Sequence, residues 1–517
     1  MAQRRLVLGP AHPPQPHGSL SVGDIPDVPS RADADHDELR EAFAAIRRRL
    51  AVPGDFPAEV LAEAERAAQS EPPAWIDMTG LPFITIDPPG SMDLDQALHL
   101  QRHDQGYLVR YAIADVPSFV APGGAIDQEA RRRGETIYLP DRAAPLHPPR
   151  LCEGAASLLP GQDRPAFVWQ ITLDAHGLPV DVDLRRATIR SAARLDYGSV
   201  QHDLDQGTAD PMLLLLAEIG LLRIEQEISR GGASLPKPEQ EVITTETGYQ
   251  VRFRPPAPVE DWNAHISLLT GMSAADIMLR GGIGILRTMP APDTTRMDRF
   301  RRQATALGVH WPEGQTYGAF LRHLDHSDPH HVALMHAATS LFRGAGYTPF
   351  DGTLPTHTEH AALAAPYAHV TAPLRRLVDR FGLVVCAALC AGEDVPEWAR
   401  HALPQLPEVM SASGRLSGAV ERACTDAVEA AVLAPMVGRS WDAVVVESRG
   451  DEGCTVQITD PAVVARCPQQ AAPGSRVQVT LTGVDVLEGR SSFVISDSSR
   501  SGDQDGTAGK DGASDVH

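Results

Sequence analysis

Residues 83–100 read FITIDPPGSMDLDQALHL, and any fold of this chain must accommodate them. The apolar, partly β-branched run Phe83-Ile84-Thr85-Ile86 predicts a strand that delivers Asp87 at its end. Pro88, Pro89 and Gly90 break that strand, and Asp93 and Asp95 follow before a second apolar run opens near Ala97. Tyr107–Asp115 repeats the strand pattern after a His-Asp-Gln-Gly turn, so the run from Ala97 is expected to pair with it as a hairpin. Three carboxylates on one tight loop repel each other unless a cation lies among them. All-oxygen ligation with room for water and phosphate suits Mg²⁺, which in phosphodiester chemistry activates water and stabilises the leaving oxygen. A solvated acidic turn is the competing reading. A helix–loop–helix calcium loop fits poorly. Counted from Asp87, Leu98 falls at the closing Glu position; counted from Asp93, it falls where Gly belongs.

At 517 residues and 43% hydrophobic content the chain is long enough for more than one globular domain. A net charge of −21 argues against coating by nucleic acid through bulk electrostatics, so any RNA or DNA contact must be local. The six cysteines (152, 386, 390, 424, 454, 467) contain no C-x-x-C pair, which suits reduced thiols in the cytoplasm. No secretory core follows Arg4-Arg5, and the apolar stretches near 213–217 and 381–392 are too short to span a bilayer. A soluble cytoplasmic monomer is the expectation.

Composition divides the chain. Residues 1–36, rich in Pro, His, Asp and Gly, read as a disordered arm. Residues 37–72 form a helical segment, with helices expected over 38–50 and 57–68. Residues 73–433 are mixed α and β, helical from about 259. Thr371-Ala-Pro-Leu looks like a helix start with Thr371 as N-cap, and another helix is expected over 408–433. Residues 434–497 carry about five short strands with glycine turns, the size of an OB barrel that binds single-stranded nucleic acid, or of a generic β-barrel module. A polar tail occupies 498–517.

The string from Ile86-Asp87 through Met92-Asp93-Leu94-Asp95-Gln96-Ala97 resembles the first catalytic motif of the ribonuclease II/ribonuclease R family of exoribonucleases. Three further segments in order resemble the same family: GETIYLPDRAAPLHPPRLCEGAASLLPGQDR (134–164), YAHVTAPLRR (367–376) and AVERA (419–423). The resemblance covers about 75–497. It implies an α/β (mixed α+β) RNB catalytic domain followed by an OB barrel. It also implies processive, Mg²⁺-dependent (or Mn²⁺-dependent) 3′→5′ hydrolysis of single-stranded RNA to nucleoside 5′-monophosphates.

Residue by residue, Asp87 resembles a direct metal ligand, and Asp93 and Asp95 the carboxylates that hold the metal region and the 3′-terminal nucleotide. Arg375 resembles the arginine that grips the scissile phosphate. Glu421 resembles a carboxylate near a second metal or the attacking water; Tyr138 and Tyr197 resemble aromatics that stack on bases. Arg376 is expected to make RNA or structural contacts. Duller readings compete: an i,i+4 pair of Arg375 with Asp379 on a helix, a solvated face for Glu421, core positions for the tyrosines. Phe253 and Trp262 are weaker stacking candidates. His323, His326, His330, His331 and His336 read as a His-rich loop rather than a metal site, because Pro329 interrupts the helix that would align them.

The sequence departs from the family twice. Gln96 stands where the motif has a second consecutive aspartate and a metal ligand, so a charge is missing; its amide oxygen could still ligate or touch RNA. Residues 1–72 hold an arm and helices where the family usually places cold-shock barrels, which implies a weaker or different RNA grip. Two alternatives stay open. One is an RNA-binding protein of the same fold silenced by Gln96, the other a metal phosphoesterase acting on small nucleotides.

Overall fold

The computed structural model describes residues 31–71, 75–233, 239–245, 248–254, 256–325 and 327–496. Two helices come first, α1 (Arg31–Arg49) and α2 (Ala58–Gln69). The first starts earlier than the pattern predicted: residues 31–36 belong to it rather than to the expected arm, whose residues 1–30 lie outside the described residues, as does the tail. A sheet follows, from β1 (Ile76–Asp77), β2 (Phe83–Asp87), β3 (Gln96–His103) and β4 (Gly106–Ala114). Next come α3 (Ala125–Arg133), the small hairpin β5 (Ile137–Tyr138) and β6 (Ala143–Ala144), then β7 (Asp163–Leu173) and β8 (Pro179–Asp196). The predicted β3–β4 hairpin is present, with Gln96 opposite Ile113 and His103 opposite Gly106.

The strand order is β1-β8-β2-β3-β4-β7, and β8 also pairs with β7, so the sheet curls back on itself. One long strand makes this closure. The first part of β8 runs antiparallel to β7, and its last residues run parallel to β2, with Asp87 beside Asp196. Because alternate side chains point to opposite faces, Ile84, Ile86, Leu98, Leu100, Tyr111, Phe167 and Trp169 enter the larger core. Their neighbours Phe83, Ala97, Ala112, Ala114, Ala166 and Val168 face the other way, into a core shared with α2. That second face is lined mostly by small residues, and Leu94 and Leu374 fill it.

Helices cover the larger core: α4 (Tyr197–Gln206), α5 (Pro211–Arg230) and, after the hairpin β9 (Glu239–Thr245)–β10 (Gly248–Arg254), α6 (Pro258–Gly281). Between the paired strands β11 (Ile283–Thr288) and β12 (Gly346–Asp351) lies an excursion of three helices: α7 (Thr294–Ala306), α8 (Tyr317–Arg322) and α9 (Pro329–Ala338). Pro329 opens α9 under an Asp328 cap, as its fixed φ favours; His330, His331 and His336 lie on α9, while His323 ends α8 and His326 is outside the described residues. His330 contacts the Leu307 carbonyl and His331 accepts from the Asp325 N–H. The short pair β13 (Glu359–His360)–β14 (Ala365–Pro366) precedes α10 (Leu377–Ala391), α11 (Glu397–Ala402) and the long α12 (Leu406–Leu433). Strands β15 (Ser440–Ser448), β16 (Cys454–Ile458), β17 (Val463–Cys467), β18 (Arg476–Asp485) and β19 (Arg490–Ile495) form the expected five-stranded unit around Val445, Val456, Val479, Leu481 and Phe493. No helix among the described residues is long and apolar enough to cross a membrane.

Candidate active site

The acid loop joins β2 to β3, whose antiparallel pairing is recorded at Ile84 and Leu98; Asp87 and Asp95 lie three residues on either side of that pair. Its course is fixed by partners distant in sequence. Ser157, fully buried, accepts the Leu94 N–H (3.0 Å) and donates to the Met92 carbonyl (2.6 Å). The Leu158 N–H reaches the Leu94 carbonyl (3.1 Å), and Arg194 donates to the Ser91 carbonyl from the end of β8 (3.2 Å). Leu94 is thereby driven into the small-residue core, which turns its neighbours Asp93 and Asp95 to the opposite side of the chain.

Asp95 does not wait for a ligand. It is only 2% exposed; Oδ1 accepts the Leu374 N–H at 2.8 Å, and Oδ2 lies 3.3 Å from Arg375 Nε. Burial pushes its carboxyl well up, while Arg375 and the Leu374 N–H pull it back. Burial alone would lower the Arg375 guanidinium, but Asp95, Tyr138 and Asp93 together outweigh it and hold the group above its ordinary value. The Arg375 side chain remains about a quarter exposed, so its other N–H groups face outward from the pair.

The predicted helix start at Thr371 is corrected: residues 371–376 form a turn, and α10 begins only at Leu377. The reason is tertiary. Asp379, fully buried, accepts the Ala372 N–H at 2.7 Å, while Asp95 takes that of Leu374. On the other side the Thr136 N–H donates to the Arg375 carbonyl (2.9 Å), the Leu377 N–H to the Gly134 carbonyl (2.9 Å), and Glu135 bridges Arg376. Gly134 adopts φ +74° with Ser413 of α12 where a Cβ would sit, so only glycine allows this approach. Asp379 pairs with Arg376, not with Arg375: Nε–Oδ2 is 2.8 Å and Nη2–Oδ1 2.7 Å. Arg376 thus makes the structural contact that is one of its two expected roles, with 23% of its side chain exposed.

Tyr138 borders the acid loop. Ile137 is buried between α1 and α12, so the alternation of β5 leaves the Tyr138 ring 47% exposed. Its hydroxyl donates to Asp93 Oδ2 at 3.0 Å. Tyr197 is different: it opens α4 half-buried in the larger core, with its hydroxyl 3.3 Å from Asn263 Nδ2. Tyr111 is buried with its hydroxyl 2.7 Å from Ser267 Oγ, and burial pushes its hydroxyl well above the ordinary tyrosine value. Trp262 packs on Gly220 as a core residue, and Phe253 falls on β10, where side chains are outside the described residues. Glu421 lies half-buried on α12, one helical turn beyond Ser417, which hydrogen-bonds Glu135 near Tyr138.

A divalent cation tests the donor set. Among the described residues no three His, Cys, Asp or Glu side chains converge as a metal cage. Asp95 spends both oxygens on the arginine turn, and the Gln96 amide nitrogen donates to the Thr371 carbonyl. Asp95 is thereby drawn to the arginine turn, while the Gln96 amide keeps its oxygen as an acceptor. Asp87, half-buried, and Asp93 remain as donors, with Glu153 beside Asp93 and pushed up by burial and by that neighbour. Two carboxylates completed by water and phosphate suit Mg²⁺, which rarely uses an all-protein cage. Ser157 and Glu153 lie within the 134–164 segment and Tyr111 within the 107–115 run, but only their partners in the fold reveal what they do.

Residues 75–385, more than half of the chain, match the RNB domain, and residues 439–496 match the RNase II-type exonuclease C-terminal S1 domain. Ribonuclease R of Thermotoga maritima is 26% identical over 364 residues, covering 67% of this chain and 51% of that protein. The chain therefore spans about half the length of this relative. The structure of Mycoplasma genitalium RNase R in complex with ribose-methylated single-stranded RNA superposes with a TM-score of 0.80 at 19% identity, over 89% of this chain and 78% of that one. Yeast Ssd1, described as a pseudonuclease, superposes with a TM-score of 0.63 at 17% identity, over 83% and 54%. At these identities the likeness is one of fold. With the family match running from before the acid loop into the helix behind the arginine turn, this chain belongs to the RNB-domain family, and its C-terminal barrel is an S1 domain.

Proposed function

We propose that the chain hydrolyses single-stranded RNA from its 3′ end, processively, releasing nucleoside 5′-monophosphates, as a cytoplasmic monomer that uses Mg²⁺ or Mn²⁺. The observation that carries this reading is the 3.3 Å contact between Arg375 and the buried Asp95, which presents a charged guanidinium beside the acid loop. Arg375 donates to the non-bridging oxygens of the last phosphodiester and stabilises the charge that develops there, an electrostatic term that grows where water is excluded. Asp95 orients it. Tyr138 stacks on a terminal base while its hydroxyl stays on Asp93. A metal ion held by Asp87 and Asp93 would supply an activated water at neutral pH. Glu421 is the further carboxylate assigned to the site, and the S1 barrel grips the strand upstream.

A silent RNA-binding protein is the second reading, favoured by Gln96 and by the lack of a three-carboxylate cage among the described residues. A 5′-labelled oligo(A) incubated with Mg²⁺ or Mn²⁺ separates the two. Stepwise shortening from the 3′ end, absent in Arg375→Ala, supports hydrolysis; binding without shortening supports the silent version.

A further inference from the structure

Gln96 occupies the position at which the family motif would lead one to expect a metal ligand, yet its surroundings demand a hydrogen-bond donor. The Thr371 carbonyl lies against the Gln96 amide, and Thr371 is 4% exposed. Two acceptors cannot sit that close, so the amide must turn its NH₂ to the carbonyl. The other backbone groups that hold the turn have their own partners. The Ala372 N–H goes to Asp379, the Leu374 N–H to Asp95, and the Arg375 carbonyl takes the Thr136 N–H. Gln96 completes that set at the end facing β3. Leu374 is buried in the small-residue core, so the turn is seated by packing from below and by hydrogen bonds at both ends.

We infer that Gln96 is a positioning residue: it ties the acid loop to the Thr371 carbonyl and so fixes the turn that presents Arg375. An aspartate here, as in the family motif, offers only acceptors and is one methylene shorter. It would leave a buried carbonyl facing a carboxylate. Restoring the motif by Gln96→Asp therefore impairs this chain instead of improving it. The inference rests on Arg375 as the phosphate-binding group, and its test is built so that the two can fail separately.

The full-length chain is compared with Gln96→Glu, which is isosteric but lacks the donor and adds a potential ligand, and Gln96→Met, which has neither. Amide hydrogen exchange at Ala372 and Leu374 is followed in EDTA, without RNA. The expected result is exchange roughly 2- to 10-fold faster in both variants, the loss of one net hydrogen bond. Turnover of oligo(A) is expected to fall by up to about 100-fold, the cost of misplacing a positioned group, with Glu no better than Met and no lower Mg²⁺ requirement. Unchanged exchange in both variants overturns the inference. So does a Gln96→Glu enzyme that turns over as well as the parent at less Mg²⁺, since that is the behaviour of a ligand. If the parent hydrolyses no RNA, the functional reading fails while the exchange result still judges Gln96.

Discussion

Replacing Asp95 with Asn exchanges one carboxylate oxygen for an NH₂ at nearly constant volume. Oδ1 still accepts the Leu374 N–H, so the turn keeps its backbone anchor. The atom that lay 3.3 Å from Arg375 Nε becomes a donor facing a donor. Two unit charges at that separation attract by about 5 kcal/mol at an effective dielectric of 20, before desolvation is subtracted. Arg375 is about a quarter exposed, so its charge is re-solvated instead of being stranded when the partner is lost. Arg375 then swings toward solvent, and the loss falls on the step in which it meets the phosphate. The expected outcome is a fall in kcat of roughly 100- to 1,000-fold, the size seen when a transition-state donor is removed. Ground-state RNA affinity changes little. The thermal midpoint also moves little: burial already disfavours the ionised Asp95 carboxyl, and Asn removes that penalty along with the pair. Single-turnover kinetics on a saturating oligonucleotide, with a melting curve on the same sample, measure both. A variant within a few-fold of the parent in kcat would refute the claim that Asp95 acts by orienting Arg375.

Other perturbations separate binding from stability. Tyr138→Ala removes an exposed ring worth about 1–3 kcal/mol of stacking, so the Kd for a short oligonucleotide should rise roughly 5- to 150-fold; Tyr138→Phe, which keeps the ring and loses the hydroxyl's bond to Asp93, should stay close to the parent. Asp379→Asn removes a fully buried carboxylate that pairs through two hydrogen bonds with the partly exposed Arg376, and is expected to cost about 1.5–3 kcal/mol of global stability in urea melts, more than the Asp95 change. His147 is buried behind the turn and its pKa is depressed to about 3, chiefly by burial. The unfolded chain therefore binds a proton below about pH 6.5 that the folded chain refuses. Stability falls as pH drops from 6.5 toward 3, and His147→Leu should flatten that limb of a melting-temperature profile.

Local signals carried much of the architecture into the sequence. Apolar, partly β-branched runs broken by turn residues gave β2, β3 and β4, and glycine turns between short strands gave the C-terminal barrel. The arginine turn was misread as a helix start because Thr371-Ala-Pro-Leu satisfies every local rule for one. What overrides those rules is Asp95, 279 residues away in sequence from Leu374, capturing an N–H that a helix would have used otherwise. A like distance, 275 residues to Thr371, hid the donor role of Gln96, whereas Arg376, the partner of Asp379, lies only three residues from it across the end of the turn. Closure of the sheet by β8 was equally invisible, since one strand pairing antiparallel at one end and parallel at the other leaves no periodic mark. Side-chain identities were legible; which group each carboxylate answers to was not.

The most direct test of the site is the chemical identity of the first product. An RNA labelled within its 3′-terminal nucleotide, mixed with excess enzyme and Mg²⁺, should release its label as nucleoside 5′-monophosphate in the first turnover, and Arg375→Ala and Asp95→Asn should lose that release together. Label that stays on the strand, leaves as a 3′-phosphate or appears in internal fragments would contradict the account.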